Sequence, residues 1–344
     1  MRKSSLFLLF SVALSAVGCG SGDSASPQPG AAAASAPVEL LNVSYDPTRE
    51  LWKELNEKFV AQQKTAGNDV SIKQSHGGSG SQARAVIDGL EADVVTLAMW
   101  SDTEQLHKKG LIKDGWEDAF SNRSLPYTST IVFVVRKGNP KNIKSWSDLS
   151  DAGIEIITPN PKTSGNGKLA FLAAWGSVIH KGGTEADARA FVTQLYKQVP
   201  VLDTAARGAT TTFAQKGIGD VHLTWENEAH LEVTEAKGEL ELVFPEASIL
   251  AEPHVAIVDE NVDKKGSRTA AENYLKFLYT PAGQAVIAKH FYRPTDATVL
   301  AANSASFPAI DLFAITKIAA SWDDAQTKFF AEGAEFDKIY EGSR

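Results

Sequence analysis

From Val38 onward, short apolar runs alternate with stretches whose apolar residues recur every three to four positions, and this alternation limits the chain more than any other feature. Val38 to Ser44 reads as a strand, and the following helix carries Leu51, Leu55 and Phe59 at four-residue spacing. Val70 to Gln74 is a second strand. It leads through His76-Gly77-Gly78-Ser79-Gly80 into a helix with Ala83, Val86, Ile87 and Leu90 inward. Asp93 to Ala98 and Thr130 to Val135 are further strands. The pattern then repeats: strand Ile154 to Thr158, helices Ser164 to Ile179 and Ala186 to Lys197, strand Val199 to Leu202, helix Ala206 to Lys216, strand Asp220 to Trp225. Strands alternating with helices of this length predict α/β units on mostly parallel sheets. The order suggests two doubly wound lobes, and the 307 residues from Val38 to Arg344 are about two domains' worth.

Composition removes several function classes. The 344 residues carry 42 acidic and 34 basic side chains, a net charge of −8, so no basic field exists to attract nucleic acid. Cys19 is the single cysteine, which excludes an intramolecular disulfide and a cysteine-rich metal site. The seven histidines lack H-x-x-x-H spacing, so neither metal nor cofactor is expected.

Arg2 and Lys3 precede an apolar run from Leu6 to Val17, too short to span a bilayer but suited to an export signal. The run ends Ala16-Val17-Gly18-Cys19, which resembles a bacterial lipobox, with Ala16 where leucine is usual. On this reading residues 1–18 are a signal peptide and Cys19 is acylated; the other outcome is ordinary cleavage near Ala34 or Ala36 with Cys19 discarded. Residues 19–37 are a Gly/Ser/Ala/Pro-rich linker with a reach of roughly 23 Å. Removing residues 1–18 takes away Arg2 and Lys3 and no acid, so the charge becomes −10.

Four strand-to-helix junctions present small, capping or turn-forming residues: Ser44 to Thr48, Gly77 to Gly80, Thr163 to Gly167 and Thr204 to Gly208. The first N–H groups of a helix lack intrahelical partners and carry the positive end of the helix dipole, so a helix start can bind an anion. Each junction taken alone is better read as a cap or turn, with Asp46 and Ser164 as N-caps and Pro47 at a first helical position. Four together on an exported two-lobe chain favour an anion site built without cations. Two enzyme motifs fail. Gly77 to Ser81 has serine where the nucleophile elbow needs its last glycine. Pro161 to Leu169 has Lys162 and Leu169 where a phosphate-binding loop needs Gly and Ser or Thr.

Five segments, Leu41 to Glu50, Gln74 to Gly80, Ile157 to Gly165, Ala206 to Gly208 and Trp225 to Ala229, resemble the prokaryotic sulfate-binding protein family. Pro126 to Thr130 and Lys289 to Pro294 do so too, and the similarity runs from Leu40 to about Ile339. The resemblance implies a type II periplasmic binding protein: two α/β lobes joined by crossover strands, one at Thr130 to Val135 and the return around Ile249 to Val258. Lobe I would comprise 38–128 plus 253–344 and lobe II 129–252. It also implies a monomeric, non-enzymatic protein that takes dehydrated sulfate from the periplasm or extracytoplasmic space to the permease subunits of an ABC importer. The donors would be the backbone N–H groups of Asp46, Ser79, Gly165, Asn166 and Ala206, the Ser164 hydroxyl and the Trp225 indole. Asn166 stands where the family often has a second glycine, so its side chain is the point of departure. The Asp46 carboxylate is expected to cap its own helix, and Arg207 and Lys168 to bond neighbouring groups. Thiosulfate or another tetrahedral oxyanion is the alternative ligand; a secreted serine esterase using Ser79 and His76 is the remote alternative. With no titrating donor, sulfate affinity is expected to be flat from about pH 5 to 8.

Overall fold

The computed structural model describes residues 37–343. The signal peptide, Cys19 and all but the last residue of the linker lie outside the described residues. The chain begins with β1 (Val38–Tyr45), α1 (Arg49–Thr65), β2 (Val70–Gly77), α2 (Ser79–Ile87), β3 (Val94–Thr96) and α3 (Trp100–Lys108). Leu51, Trp52, Leu55 and Phe59 form the buried stripe of α1, as the four-residue spacing requires. A second series follows: β4 (Ile131–Arg136), β5 (Ile156–Ile157), α4 (Gly165–His180), α5 (Glu185–Lys197), α6 (Ala206–Thr210), β6 (Val221–Trp225), α7 (Glu226–Glu235) and β7 (Leu240–Val243). After β8 (Ala247–Ile249) the chain returns through β9 (Val255–Ile257), and a last strand is β10 (Asp311–Phe313).

Two four-stranded sheets result, ordered β9-β3-β1-β2 and β5-β6-β4-β7. In the first, β1 runs parallel to β2 and β3, and β9 antiparallel to β3. In the second, β5 and β6 are parallel while β4 is antiparallel to both β6 and β7. The sheets are therefore mixed, not mostly parallel. The cause is the crossing itself: β4 enters the second sheet from the first lobe, β9 re-enters the first from the second, and each runs against its neighbours. Ser129 and Ala251 pair antiparallel where the crossings meet, exchanging N–H···O bonds of 3.1 and 2.9 Å.

Three further differences from the sequence expectation have local causes. Val199 to Leu202 joins no sheet; Pro200 within it has no N–H to give a ladder. The helix expected over Ala206 to Lys216 is regular only to Thr210 and continues as a wide π-type turn, Thr211–Gln215. Residues 311–343, expected with the first lobe, lay Phe329, Phe330 and Phe336 around Phe171 of α4, with ring centroids 5.7, 5.5 and 6.0 Å away. Lys162 bonds Asp337 at 2.8 Å, and Arg189 bonds Glu335 at 2.8 Å, which ties the same segment to the second lobe. No helix among the described residues is long and apolar enough to cross a membrane.

Candidate anion site

Every segment singled out from the sequence is stitched to at least one other. A Cβ on Gly78 would stand 2.4 Å from the Thr163 carbonyl and 3.5 Å from that of Thr204, so the chain entering α2 lies against the chains entering α4 and α6. Only a glycine admits that approach. A Cβ on Gly165 would meet the Ala98 methyl at 2.3 Å and the Ser79 Cβ at 3.2 Å. The Thr163 hydroxyl donates to the Thr204 carbonyl at 2.7 Å. Across the cleft, the Arg207 N–H donates to the Asp46 carboxylate at 3.2 Å, and the Tyr45 and Trp225 rings tilt together at 5.1 Å. Three helix starts from two sheets thus converge beside the end of β6.

Ser79, Gly165 and Ala206 are the first residues of α2, α4 and α6, and Asn166 is the second of α4. Their N–H groups fall among those a helix leaves without internal partners. All four residues are buried. The Ser164 hydroxyl accepts from the Gly167 N–H at 3.4 Å, as an N-cap should, and keeps its own proton to donate. Asn166 departs from glycine without crowding this region. Its amide donates to the Leu223 carbonyl at 3.0 Å and accepts from the Trp225 N–H at 3.1 Å, so the side chain is turned onto β6. Trp225 is fully buried, yet its indole N–H has no protein acceptor. A buried donor without a partner costs about 1–3 kcal/mol, which a ligand oxygen would recover.

The charged side chains around this point pair with one another. The Asp46 carboxylate does not cap its own turn, Asp46–Thr48, contrary to expectation. One oxygen accepts from Arg49 Nε at 2.8 Å and the other from the Arg207 N–H, so it caps α6 across the cleft. The reason is geometric: Arg49, one turn on, draws the carboxylate away from its own first N–H groups. Arg207 reaches Glu228 at 2.8 Å and Glu50 at 2.6 Å, and Lys168 reaches Asp102 at 3.0 Å, so both cations bond carboxylates as expected. Burial, with Glu50 and Asp46 nearby, pushes Glu228 up to about 8 although Arg207 pulls it down. Burial and Arg49 push His76 down to about 4, so its ring is neutral at pH 7.

His76 and Ser79 do not meet as an esterase pair would. His76 Nδ1 shares a hydrogen with the Ser44 hydroxyl at 2.6 Å and Nε2 lies on Gln74, while Ser79 Oγ donates to Asp102 at 2.6 Å. No group of three or more His, Cys, Asp or Glu among the described residues is arranged to hold a metal ion. The sequence reading missed Asp102 and the acceptor role of Asp46 toward α6. Asp102 lies outside the junction motifs, Asp46 is expected to serve its own turn, and the partners are 66 and 161 residues away.

The family described as bacterial extracellular solute-binding protein matches residues 40–293. The sulfate-binding protein of Escherichia coli K12 is 51% identical over 305 residues, spanning 88% of this chain and 93% of the relative. The thiosulfate-binding protein of Pseudomonas aeruginosa is 47% identical over 335 residues, 96% of this chain and 98% of the relative. Among solved structures, the sulfate-binding protein SubI of Mycobacterium tuberculosis H37Rv superposes with a TM-score of 0.78 at 32% identity, covering 86% of this chain and all of that one. The two sheets, their crossing strands and these likenesses give the type II periplasmic binding protein fold. The chain is therefore a bacterial extracellular solute-binding protein of the prokaryotic sulfate-binding protein family.

Proposed function

We propose that this protein captures sulfate between its two lobes and delivers it to the permease subunits of an ABC importer. The donors are the N–H groups of Asp46, Ser79, Gly165, Asn166 and Ala206, the Ser164 hydroxyl and the Trp225 indole. The single observation that carries this reading is the Trp225 indole N–H, fully buried at the meeting point of three helix starts and unsatisfied by any protein acceptor. Helix N-termini favour anions, and charge-assisted hydrogen bonds of about 1.5–3 kcal/mol each can replace the hydration a dianion gives up. A net charge of −10 on the processed chain does not oppose this, because exposed charges are screened beyond about 8 Å at physiological salt. The names of the relatives support sulfate, with thiosulfate as the neighbouring choice. No residue is given a catalytic role. We place the lobe boundaries near 128–129 and 252–253, with residues 311–343 returning to the second lobe, the protein outside the cytoplasm on a Cys19 lipid anchor, and its working form as a monomer.

Titration calorimetry with sulfate, thiosulfate, molybdate and phosphate tests the reading. Sulfate should bind saturably and without turnover. Phosphate, which retains a proton needing an acceptor, should bind at least about 10²-fold more weakly. Trp225→Phe keeps the ring and removes the donor, and should weaken sulfate binding by about 1.5–3 kcal/mol. An unchanged dissociation constant would make Trp225 a core residue and remove the main support for the site.

A further inference from the structure

Asn166, the second residue of α4, is 2% exposed and bonds β6 with both ends of its carboxamide. Nδ2 donates to the Leu223 carbonyl at 3.0 Å, and Oδ1 accepts from the Trp225 N–H at 3.1 Å. These two backbone groups flank Thr224, and the sheet leaves them open on that side. β5 pairs with β6 only at Ile156–Val221 and Ile157–His222, whereas β4 follows β6 as far as Trp225. In a parallel ladder, a residue facing Thr224 would donate to the Leu223 carbonyl and accept from the Trp225 N–H. Continuing the β5 register puts Pro159 at that place, and proline has no N–H to give. The Asn166 side chain makes both bonds instead. It serves as a peptide group supplied by a helix where the neighbouring strand has stopped.

We infer that Asn166 is a positioning residue for Trp225, and that its side chain thereby sets the size of anion the second lobe selects. The selectivity rests on the sulfate reading above. The backbone of Asn166 supplies one N–H to the proposed site, while its side chain holds the backbone of Trp225, whose indole supplies another. One residue thus fixes the spacing between the α4 start and the indole. Trp225 ends β6 and is the N-cap of α7, so the brace acts where the chain turns from strand to helix. Without it, two buried backbone groups at that turn would lose their partners, which favours local rearrangement. Hydrogen bonds weaken steeply as distance and angle depart from the optimum, so donors held at fixed spacing distinguish ions of equal charge and different radius. Sulfate and molybdate are such a pair. Both are tetrahedral dianions with four equivalent oxygens at neutral pH, and molybdate is the larger.

Asn166→Gly keeps the backbone N–H and removes the brace. Calorimetry at neutral pH should show sulfate bound about tenfold more weakly, the scale of one or two neutral hydrogen bonds. Molybdate should lose less, so the ratio of the two dissociation constants should narrow by at least about threefold, whereas a helix merely weakened would affect both anions alike. Fluorine NMR of protein carrying fluorotryptophan reads the brace without ligand. The Trp225 line, identified by its absence in Trp225→Phe, should be single and narrow in the wild type and broadened or split in Asn166→Gly. If that variant folds poorly, hydrogen exchange on the wild type gives the answer: the Trp225 amide should be protected although no strand covers it. An unchanged anion ratio, an unchanged fluorine line, or rapid exchange at the Trp225 amide would overturn the role of Asn166. A wild type that binds no sulfate would instead overturn the function on which the selectivity rests, while the fluorine line and the exchange rate still judge the brace.

Discussion

Asp102–Lys168 and Glu50–Arg207 both pair a carboxylate of the first lobe with a cation of the second, and they flank the same helix starts. They differ in water. The side chains of the first pair are 1% and 6% exposed, and those of the second 44% and 30%. The exposed pair is the shorter, 2.6 against 3.0 Å, yet distance is not what sets its worth. Exposed ion pairs contribute about 0–1 kcal/mol, since water screens them and holds either partner almost as well alone. A dry pair has no such alternative, so it gains directional control at the cost of intolerance to a missing partner. One side of the cleft is thus held by a rigid contact and the other by an adjustable one.

The largest effect should come from breaking the dry side. Lys168→Met strands the Asp102 carboxylate with only the Ser79 hydroxyl, and should lower unfolding stability by about 3–5 kcal/mol. Urea unfolding checks this, and a loss below about 1 kcal/mol would mean that water reaches Asp102.

Next comes the wet side. Both Asp46 oxygens are occupied, one by Arg49 and one by the Arg207 N–H, which leaves no ready acceptor for a phosphate proton. Arg49→Gln frees the first oxygen beside the α6 start. The ratio of phosphate to sulfate dissociation constants should shrink by about tenfold, because an unpaired proton is what excludes phosphate. Calorimetry with both anions measures it, and an unchanged ratio would show that this oxygen faces away from the ligand. Glu50→Gln, by contrast, should cost at most about 1 kcal/mol of stability, and a loss matching that of Lys168→Met would erase the distinction between the sides.

Legibility from sequence follows the same division between local and distant causes. Leu51, Leu55 and Phe59 announce α1 because a helix face repeats locally, whereas Gly78 reads only as a turn residue and its contact with the Thr163 carbonyl emerges in the fold. Trp225 is expected as a donor from its place at a strand end and from the family resemblance, and its buried indole N–H has no protein acceptor. The antiparallel insertion of β4 and β9 was not readable, because nothing within a strand records the direction from which it enters a sheet. Nor was the placement of residues 311–343, whose phenylalanines are apolar at any address and find Phe171 only in three dimensions. Asp46 is the sharpest case: its sequence neighbours predict a local N-cap, and Arg49 together with a helix start 161 residues away outcompetes that choice.

The smallest effect concerns pH, and it revises the flat profile expected from the ligand and donors alone. His76, held near 4, stays neutral from pH 5 to 8 and should add no slope there. Glu228 lies within Arg207's grip behind the α6 start, and burial raises it to about 8. At pH 6 it is mostly protonated, so the charges near the anion are those of Asp46, Arg49, Glu50 and Arg207, which balance. As pH rises through 8 it ionises and adds a negative charge on the wet side of the cleft. Sulfate binding should then weaken by a few-fold, and by linkage bound sulfate should raise the Glu228 value further. The sign for stability is the same: a carboxyl whose folded value lies above its unfolded one stabilises the fold below about 4.5, and that contribution is lost as pH climbs through 8. Glu228→Gln cannot ionise, so its sulfate affinity should stay level between pH 6 and 9 while the wild-type affinity declines. Parallel calorimetric profiles for the two proteins would mean that the charge on Glu228 is cancelled by Arg207 before the ligand feels it, and that the wet side screens as completely as open water.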